Sequence, residues 1–541
     1  MADEFDSVMK FEGLAMNHFT TLDREWEMRI AVTILTMLAL AAGTLYGGAT
    51  EQPPPTPAQE QPEVLTRGPV HEAFAEPVNL QVQAGLVAPH QPPARIEEIP
   101  PAERPEGAQF VWVPGYWSWD GDRNGYIWVS ACWRAAPPNM YWVPGYWAQV
   151  PEGWEWVAGF WAPADTQRIE YLPAPPAFDD VLPPGSPPSA DNIWVPSCQY
   201  WYQDHYVRRP GYWLREQPGW VWVPSHYTWT PRGYVFAEGH WDYSLDRRGV
   251  LFAPVYFPRP IHERAGFSFS PSIVIDIGML QFSLFAYPRY SHYYFGDYYD
   301  DAYLRIGIYP RFESERSHTW YDPIYRYDRW QNQRTEPRWE EHERHEYDLR
   351  RADKDLRPAR TYHEMETRQT RLPEPQRRDL QTARPLTAVV AAKATPLSFQ
   401  KIDSGTQRKI ATQATSVHKF GEERKRWEST AMGQKTAQPP TKPKGPVAPL
   451  MERKEPVPAP VEGRSSVSPP MERTPPFVSP RAVRVTKPET VKIPRPSITG
   501  KPADSGTREV GPPPKPAEER QRTRGSKNQN ANKNKERDKN K

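Results

Sequence analysis

WVPGYW at 112–117, WVSACW at 128–133, WVPGYW at 142–147 and WVAGFW at 156–161 decide how this chain folds. After a Pro-rich interval the pattern returns as WVPSCQYW from Trp194, RRPGYW from Arg208, WVPSHY from Trp222 and FAEGHW from Phe236. Copies start 16, 14 and 14 residues apart in the first block, and 14, 14 and 14 apart in the second. A short constant period signals stacked copies of one supersecondary unit, each burying a face against the next.

Within a copy, Pro-Gly fits the centre of a β-turn, Pro for its fixed φ and Gly for a positive one. The turn glycines are then Gly115, Gly145, Gly159, Gly211 and Gly239, with Ala131, Ser197 and Ser225 in the remaining copies. A hairpin closing at Pro-Gly would set Trp112 opposite Trp117 and Trp142 opposite Trp147 as cross-strand pairs. Against that geometry, Pro-Gly favours a type II turn, whose twist suits hairpins less well than the primed turns. The spacer between copies holds a second turn, PEG in AQVPEGWE. Each copy thus supplies two short strands, and each block an antiparallel meander. Two roles stand open for the repeat aromatics Trp112, Trp117, Trp128, Trp133, Trp142, Trp147, Trp156, Trp161, Trp194, Trp213, Trp222 and Trp241. One is core and cross-strand packing; the other is a row of exposed platforms for sugar rings.

The pattern resembles the WXXGXW (YXWGXW) repeat family of exported bacterial proteins, over residues 110–241. The resemblance implies an exported β-repeat protein and transfers no catalytic residue.

Outward from the repeats, composition bounds the rest. Seventeen of the 22 tryptophans lie between Trp112 and Trp241, so the core is expected there. Pro reaches 65 residues and apolar residues only 38%, too few to bury the whole chain. Residues 30–45 (IAVTILTMLALAAGTL) follow Arg29 and precede small residues and a polar Pro-rich stretch. That order reads as a secretory signal cleaved near residue 43 or 49, with an uncleaved membrane anchor or a buried helix as alternatives. Residues 441–541 carry 23 Lys+Arg against 11 Asp+Glu, a net +12, with abundant Pro.

On this basis the chain divides into a signal segment (1–49), a Pro-rich linker (50–107), repeat block 1 (108–162) and a second Pro-rich linker (163–191). Repeat block 2 with further strands comes after it (192–312), those strands packing on that block. Next come a charged, partly helical region (313–435) and a disordered basic tail (436–541). The fold class is mainly β: repeat-built antiparallel meander blocks, then charged helical segments and a disordered basic C-terminal tail. The expected strands include VLFAPVYF, FSFSPSIVIDIG and LQFSLFAYPRY, with an aromatic loop HYYFGDYYDDAY after them. Residues 338–356 read as a solvated helix of mixed charge. Residues 400–429 read as a helix with a weak stripe of Ile402, Ile410, Val417, Phe420 and Trp427.

Chemistry is sparse. Cys132 and Cys198 stand at the same place in their copies, and an even count in an exported chain suggests a disulfide, with two buried thiols as the alternative. His342 and His345 in HERHE lack the zinc-protease spacing. Asp297, Asp300 and Asp301 miss the calcium-loop pattern. No nucleophile, phosphate loop or paired carboxylate stands out, so no catalytic residue, metal or cofactor is expected. Export takes nucleic acid away from the basic tail, leaving anionic wall and matrix polymers or plain solubility as its use. The expected role is a non-enzymatic structural or interaction protein of the cell envelope, in periplasm, outer envelope or outside the cell. Its expected partners are envelope proteins or polyanionic polymers, with membrane contact only through an uncleaved signal. The alternative is a glycan-binding module.

Overall fold

The computed structural model describes residues 61–177, 182–373, 377, 380–434 and 488–492. The signal-like run and almost all of the basic tail lie outside the described residues. The repeats form four hairpins, each made from two motif copies. In the first, Phe110–Val113 and Tyr116–Asp120 run out, and Gly125–Val129 and Cys132–Ala135 return. Trp117 faces Trp128 on the inner strands and Trp112 faces Trp133 on the outer ones. Val113 faces Cys132 and Tyr116 faces Val129, so one register continues through Pro114-Gly115 and Ser130-Ala131. Pro-Gly therefore does not reverse the chain. It bends both strands of a long hairpin at one level, and the expected pairs Trp112–Trp117 and Trp142–Trp147 do not form.

The reversal happens at the hairpin tips, where the spacer supplies positive φ: Asn124 at 48°, Gly153 at 141°, Gln203 at 55° and Gly233 at 151°. The Pro-Glu turn of the spacer is one of these tips, closing Val150 against Gly153. The second hairpin pairs Trp147 with Trp156 and Trp142 with Trp161. The third keeps only the outer pair, Trp194 with Trp213, and sets Gln199 opposite Arg208 inside. The fourth pairs Trp222 with Trp241 and substitutes Tyr227 with Phe236.

Both expected linkers contribute buried strands to the body, although residues 182–190 of the second stay mostly exposed without regular structure. From residue 61 the chain threads the core, with Leu65, Val70, Phe74, Val78 and Leu80 all buried. These apolar side chains punctuate the Pro-rich composition closely enough to bury the segment. Val87–Ala88 adds a third strand to the second hairpin. In the 163–191 interval, Arg168–Tyr171 is a strand with Ile169 and Tyr171 buried. It pairs antiparallel with Glu489–Lys492, a strand inside the segment expected to be disordered. The strands after the repeats also land elsewhere than expected. Gly249–Leu251 pairs with Cys132–Ala135 and Val255 with Trp128, so they extend the first hairpin rather than the second block.

Residues 277–282 and 301–306 are short helices instead of strand and loop, the first capped by Asp276 accepting from the Met279 amide. His292–Phe295 is a strand paired with Leu284–Tyr287. The charged helix appears as Trp339–Ala352, burying only Trp339. The last helix is Ser404–Gln434, and its stripe is packed: Val417 and Phe420 are buried in separate clusters.

Limited proteolysis should accordingly protect a body from about residue 61 to 434. A fragment cut to 108–312 should lose its cooperative melt, because it lacks both the N-terminal segment and the last helix. A fragment 108–312 as stable as the full chain in thermal denaturation would disprove this.

Candidate functional site

The bends of the hairpins concentrate the unusual chemistry. A bent strand cannot keep its ladder intact, so each bend leaves backbone N–H and C=O groups that must find partners when buried. The repeat glycines make room there. None of the five has a positive φ in the left-handed range, so they are not turn formers. A Cβ on Gly159 would stand 2.3 Å from Trp142 Cζ2, on Gly211 2.3 Å from Trp194 Cζ2, and on Gly145 2.5 Å from Trp156 Cζ2. Each of these glycines receives the first indole of the partner copy in its own hairpin. That contact fixes the spacing from tryptophan to glycine.

The orphaned amides meet side-chain acceptors, which in the first two hairpins are buried carboxylates from outside the repeat. In the first hairpin, Gly115 N donates to Glu98 Oε2 at 3.0 Å and Ala131 N to Glu98 Oε1 at 3.0 Å. In the second, Gly159 N donates to Glu72 Oε2 at 3.2 Å, joined by Trp156 Nε1 at 3.2 Å. The fourth has Ser225 Oγ accepting from Gly239 N at 2.9 Å. The carbonyls are met too. Arg424, wholly buried, donates through Nη1 to Pro144 O at 3.0 Å and Ala158 O at 2.8 Å. Its Nε donates to Glu428 Oε1 at 2.9 Å, and Tyr171 OH donates to the same oxygen at 2.9 Å. His71 Nε2 lies 3.0 Å from Pro114 O.

A second buried network ties the hairpins together. Arg134 comes just after Trp133, and Asp242 just after Trp241, at the same place in their hairpins. They pair at 2.6 Å, with Arg248 at 2.9 Å from the same carboxylate. Arg134 Nε and Arg248 Nη1 also donate to Ala73 O and Phe74 O of the N-terminal segment.

Burial pushes the Glu98 and Glu72 carboxyls up to about 7, against the amide donors that pull them down. A folded-state value above the unfolded one means the folded chain holds its proton longer. Stability therefore falls as pH rises from about 4.5 through 7. Comparing wild type with Glu98→Gln by urea unfolding at pH 5 and pH 8 isolates this share. The wild type should lose on the order of 2–3 kcal/mol more than the variant across that range. Parallel profiles would show that Glu98 does not titrate there.

Cys132 and Cys198 are free, buried thiols in different clusters, not a disulfide. Their shared register places them in separate hairpins, each packed by its own surroundings. Asp297 pairs with Arg360 at 2.8 Å, Asp300 with Arg357 at 2.9 Å and Asp301 with Arg351 at 2.6 Å, so the acids serve ion pairs. His342 is half-exposed on the charged helix beside Glu336 at 3.2 Å. Among the described residues no cluster of three metal-ligating side chains occurs, and no helix is long and apolar enough to cross a membrane.

Trp117, Trp128, Trp147 and Trp156 line a groove of about 530 Å³ between the first two bends and the last helix. Sequence reasoning misses Glu72, Glu98 and Arg424. For Arg424 a signal exists: Val417, Gly421, Arg424 and Glu428 fall on one helical face.

A family model described as WXXGXW repeat (2 copies) matches residues 109–134, 138–162 and 218–242. Those are the first, second and fourth hairpins, so one match corresponds to one hairpin of two copies. The third, where Gln199 and Arg208 replace the inner aromatic pair, is left out. No curated protein and no solved structure matches the chain. The chain carries WXXGXW repeats within residues 109–242.

Proposed function

We propose that this chain is a non-enzymatic structural and interaction protein of the bacterial cell envelope. Its tryptophan-paired hairpins form a rigid body that contacts envelope proteins or polyanionic wall and matrix polymers. The observation that carries this reading is where the rings face. The six repeat pairs have ring centroids 5.0–5.4 Å apart. Eleven of the twelve tryptophans are at most 8% exposed, with Trp213 half-buried. A sugar platform must offer a free ring face, and these rings are covered by edge-on partners and the surrounding core. Export is supported by the signal-like run at residues 30–45, and a tether to anionic polymer by the net +12 of residues 441–541.

A glycan-binding reading is favoured by one feature, the groove of about 530 Å³ lined by four of the paired tryptophans. Trp147→Ala separates the two. Trp147 is 8% exposed and its Nε1 donates to Trp117 O at 2.9 Å. The structural reading expects melting to drop by the equivalent of about 3 kcal/mol. It also expects retention on cell-wall polysaccharide to match wild type after allowance for the unfolded fraction. A variant that melts like wild type and no longer binds the polysaccharide would establish the glycan module instead. Recovery of the mature chain from the envelope fraction tests the compartment, and an intact N-terminus in the cytosol would refute it.

A further inference from the structure

We propose that the strand Glu489–Lys492 links copies of this chain, each copy adding it to the edge of Arg168–Tyr171 in a neighbour. The pairing itself is built into the fold. Arg168–Tyr171 runs antiparallel to Glu489–Lys492, with Ile169 opposite Val491 and Glu170 opposite Thr490. The accepting strand is firmly held. Ile169 and Tyr171 are buried, and Tyr171 OH donates to Glu428 at 2.9 Å. Leu172 exchanges two backbone hydrogen bonds with Tyr234 of the fourth hairpin, at 2.8 and 2.9 Å. Val491 packs beside this strand on a cluster drawn from the second hairpin, the fourth hairpin and the last helix. A segment more than 300 residues along the chain thus supplies an apolar contact to the repeat core.

The donor strand is slight by comparison. It is four residues long, and Val491 is its one apolar residue. Pro488 and Pro494 bracket it in the sequence, and proline cannot donate to a ladder, so the pairing stays short. Between the last helix and this strand lie residues 435–487, 53 positions of which 13 are Pro. At about 3.1 Å per residue, a Pro-rich spacer of that length reaches up to roughly 160 Å. The contacts are the same whichever copy supplies the strand, so the local concentration of donor strands decides between return and exchange. A long spacer lowers that concentration at the chain's own edge, and copies held side by side raise the neighbours' share. Donor and acceptor lie on different parts of the surface, so the contact is heterologous and can run on through many copies. This linkage concerns copies of this chain alone and stands whether or not the envelope reading does.

Disulfide trapping in the full chain tests it. Residues directly opposite in an antiparallel ladder stand about 4.5–5.5 Å apart at Cα, within disulfide reach. Exposed Glu170 and Thr490 are such a pair. Cys132 and Cys198 are buried, and each single variant controls for them. Glu170→Cys combined with Thr490→Cys should form a disulfide within one chain in dilute solution. A mixture of the two single variants should give about tenfold or more heterodimer when the chains are coupled densely to beads than when they are dilute. Adding Val491→Asp to the Thr490→Cys chain should remove that heterodimer. A double variant that forms no disulfide overturns the pairing. Heterodimer absent at every density overturns the exchange between copies, and heterodimer that survives Val491→Asp marks random collision and overturns it as well.

Discussion

Replacing Arg424 by Ala lowers the stability of the folded body by about 3–5 kcal/mol, the range for removing one partner of a buried ion pair. Arg424 and Glu428 are both fully buried. Without the guanidinium, Glu428 keeps Tyr146 and Tyr171 as donors but loses its counter-charge, and Pro144 O and Ala158 O lose a shared donor. The second bend, an internal break in a hairpin, is then left with buried carbonyls unsatisfied. Urea unfolding of the single variant measures the loss. Arg424→Met combined with Glu428→Leu should recover part of it, because no lone charge remains inside. An Arg424→Ala variant within 1 kcal/mol of wild type would mean that the last helix does not clamp the bend.

Trp128→Ala is expected to cost about 3–5 kcal/mol, the usual range for emptying a core aromatic site. Trp128 is 1% exposed, meets Trp117 edge-on at 5.1 Å between ring centroids, and stands opposite Val255 of an added strand. Its removal unsettles the first hairpin and the strand docked on it. Trp213→Ala, in the third hairpin, is the control: its ring is half-buried, and the loss should be less than half as large. Thermal melts of both variants decide. Equal losses would show that burial does not rank the repeat tryptophans.

The third hairpin ranks apart from the others for a reason visible in the sequence. At the inner position, five residues after the first tryptophan, Gln199 stands where Trp117 and Trp147 stand in the earlier hairpins. The strand opposite it, His205–Arg209, is mostly exposed, whereas the first two hairpins bury both rings of their inner aromatic pairs. Periodicity locates the hairpin, and the lost aromatics mark it as the weakest. The mixed-charge helix near residues 338–356 is legible as a helix, but the narrow stripe by which it docks, Trp339 and Tyr347 against Phe285, Phe312 and Tyr325, shows only in the fold.

Other elements take a place that local sequence does not indicate. The segments whose composition suggests linkers carry Pro at intervals that mask apolar residues such as Val70, Phe74 and Ile169. Whether such residues are buried depends on what arrives from elsewhere in the chain. The disulfide expectation rests on the matching positions of Cys132 and Cys198. Equivalent positions in separate hairpins are related by the repeat, and a repeat sets residues apart as readily as it brings them together.

The sequence by itself determined where the β-repeats lie and the charged helical character of the region after them, while burial of the repeat tryptophans was decided by the fold. Repeat positions and charge show in spacing and composition, and a short-range signal suffices for them. Only the tertiary structure decided which tryptophan faces which, because Pro-Gly serves equally for a reversal or for a bend. The continuous register through the bend settles that choice, and it is set by the positive-φ tips several residues away. The structure alone also revealed Glu72, Glu98 and Arg424. Their task, satisfying amides and carbonyls exposed by a bend in another segment, exists only once the chain has folded around it.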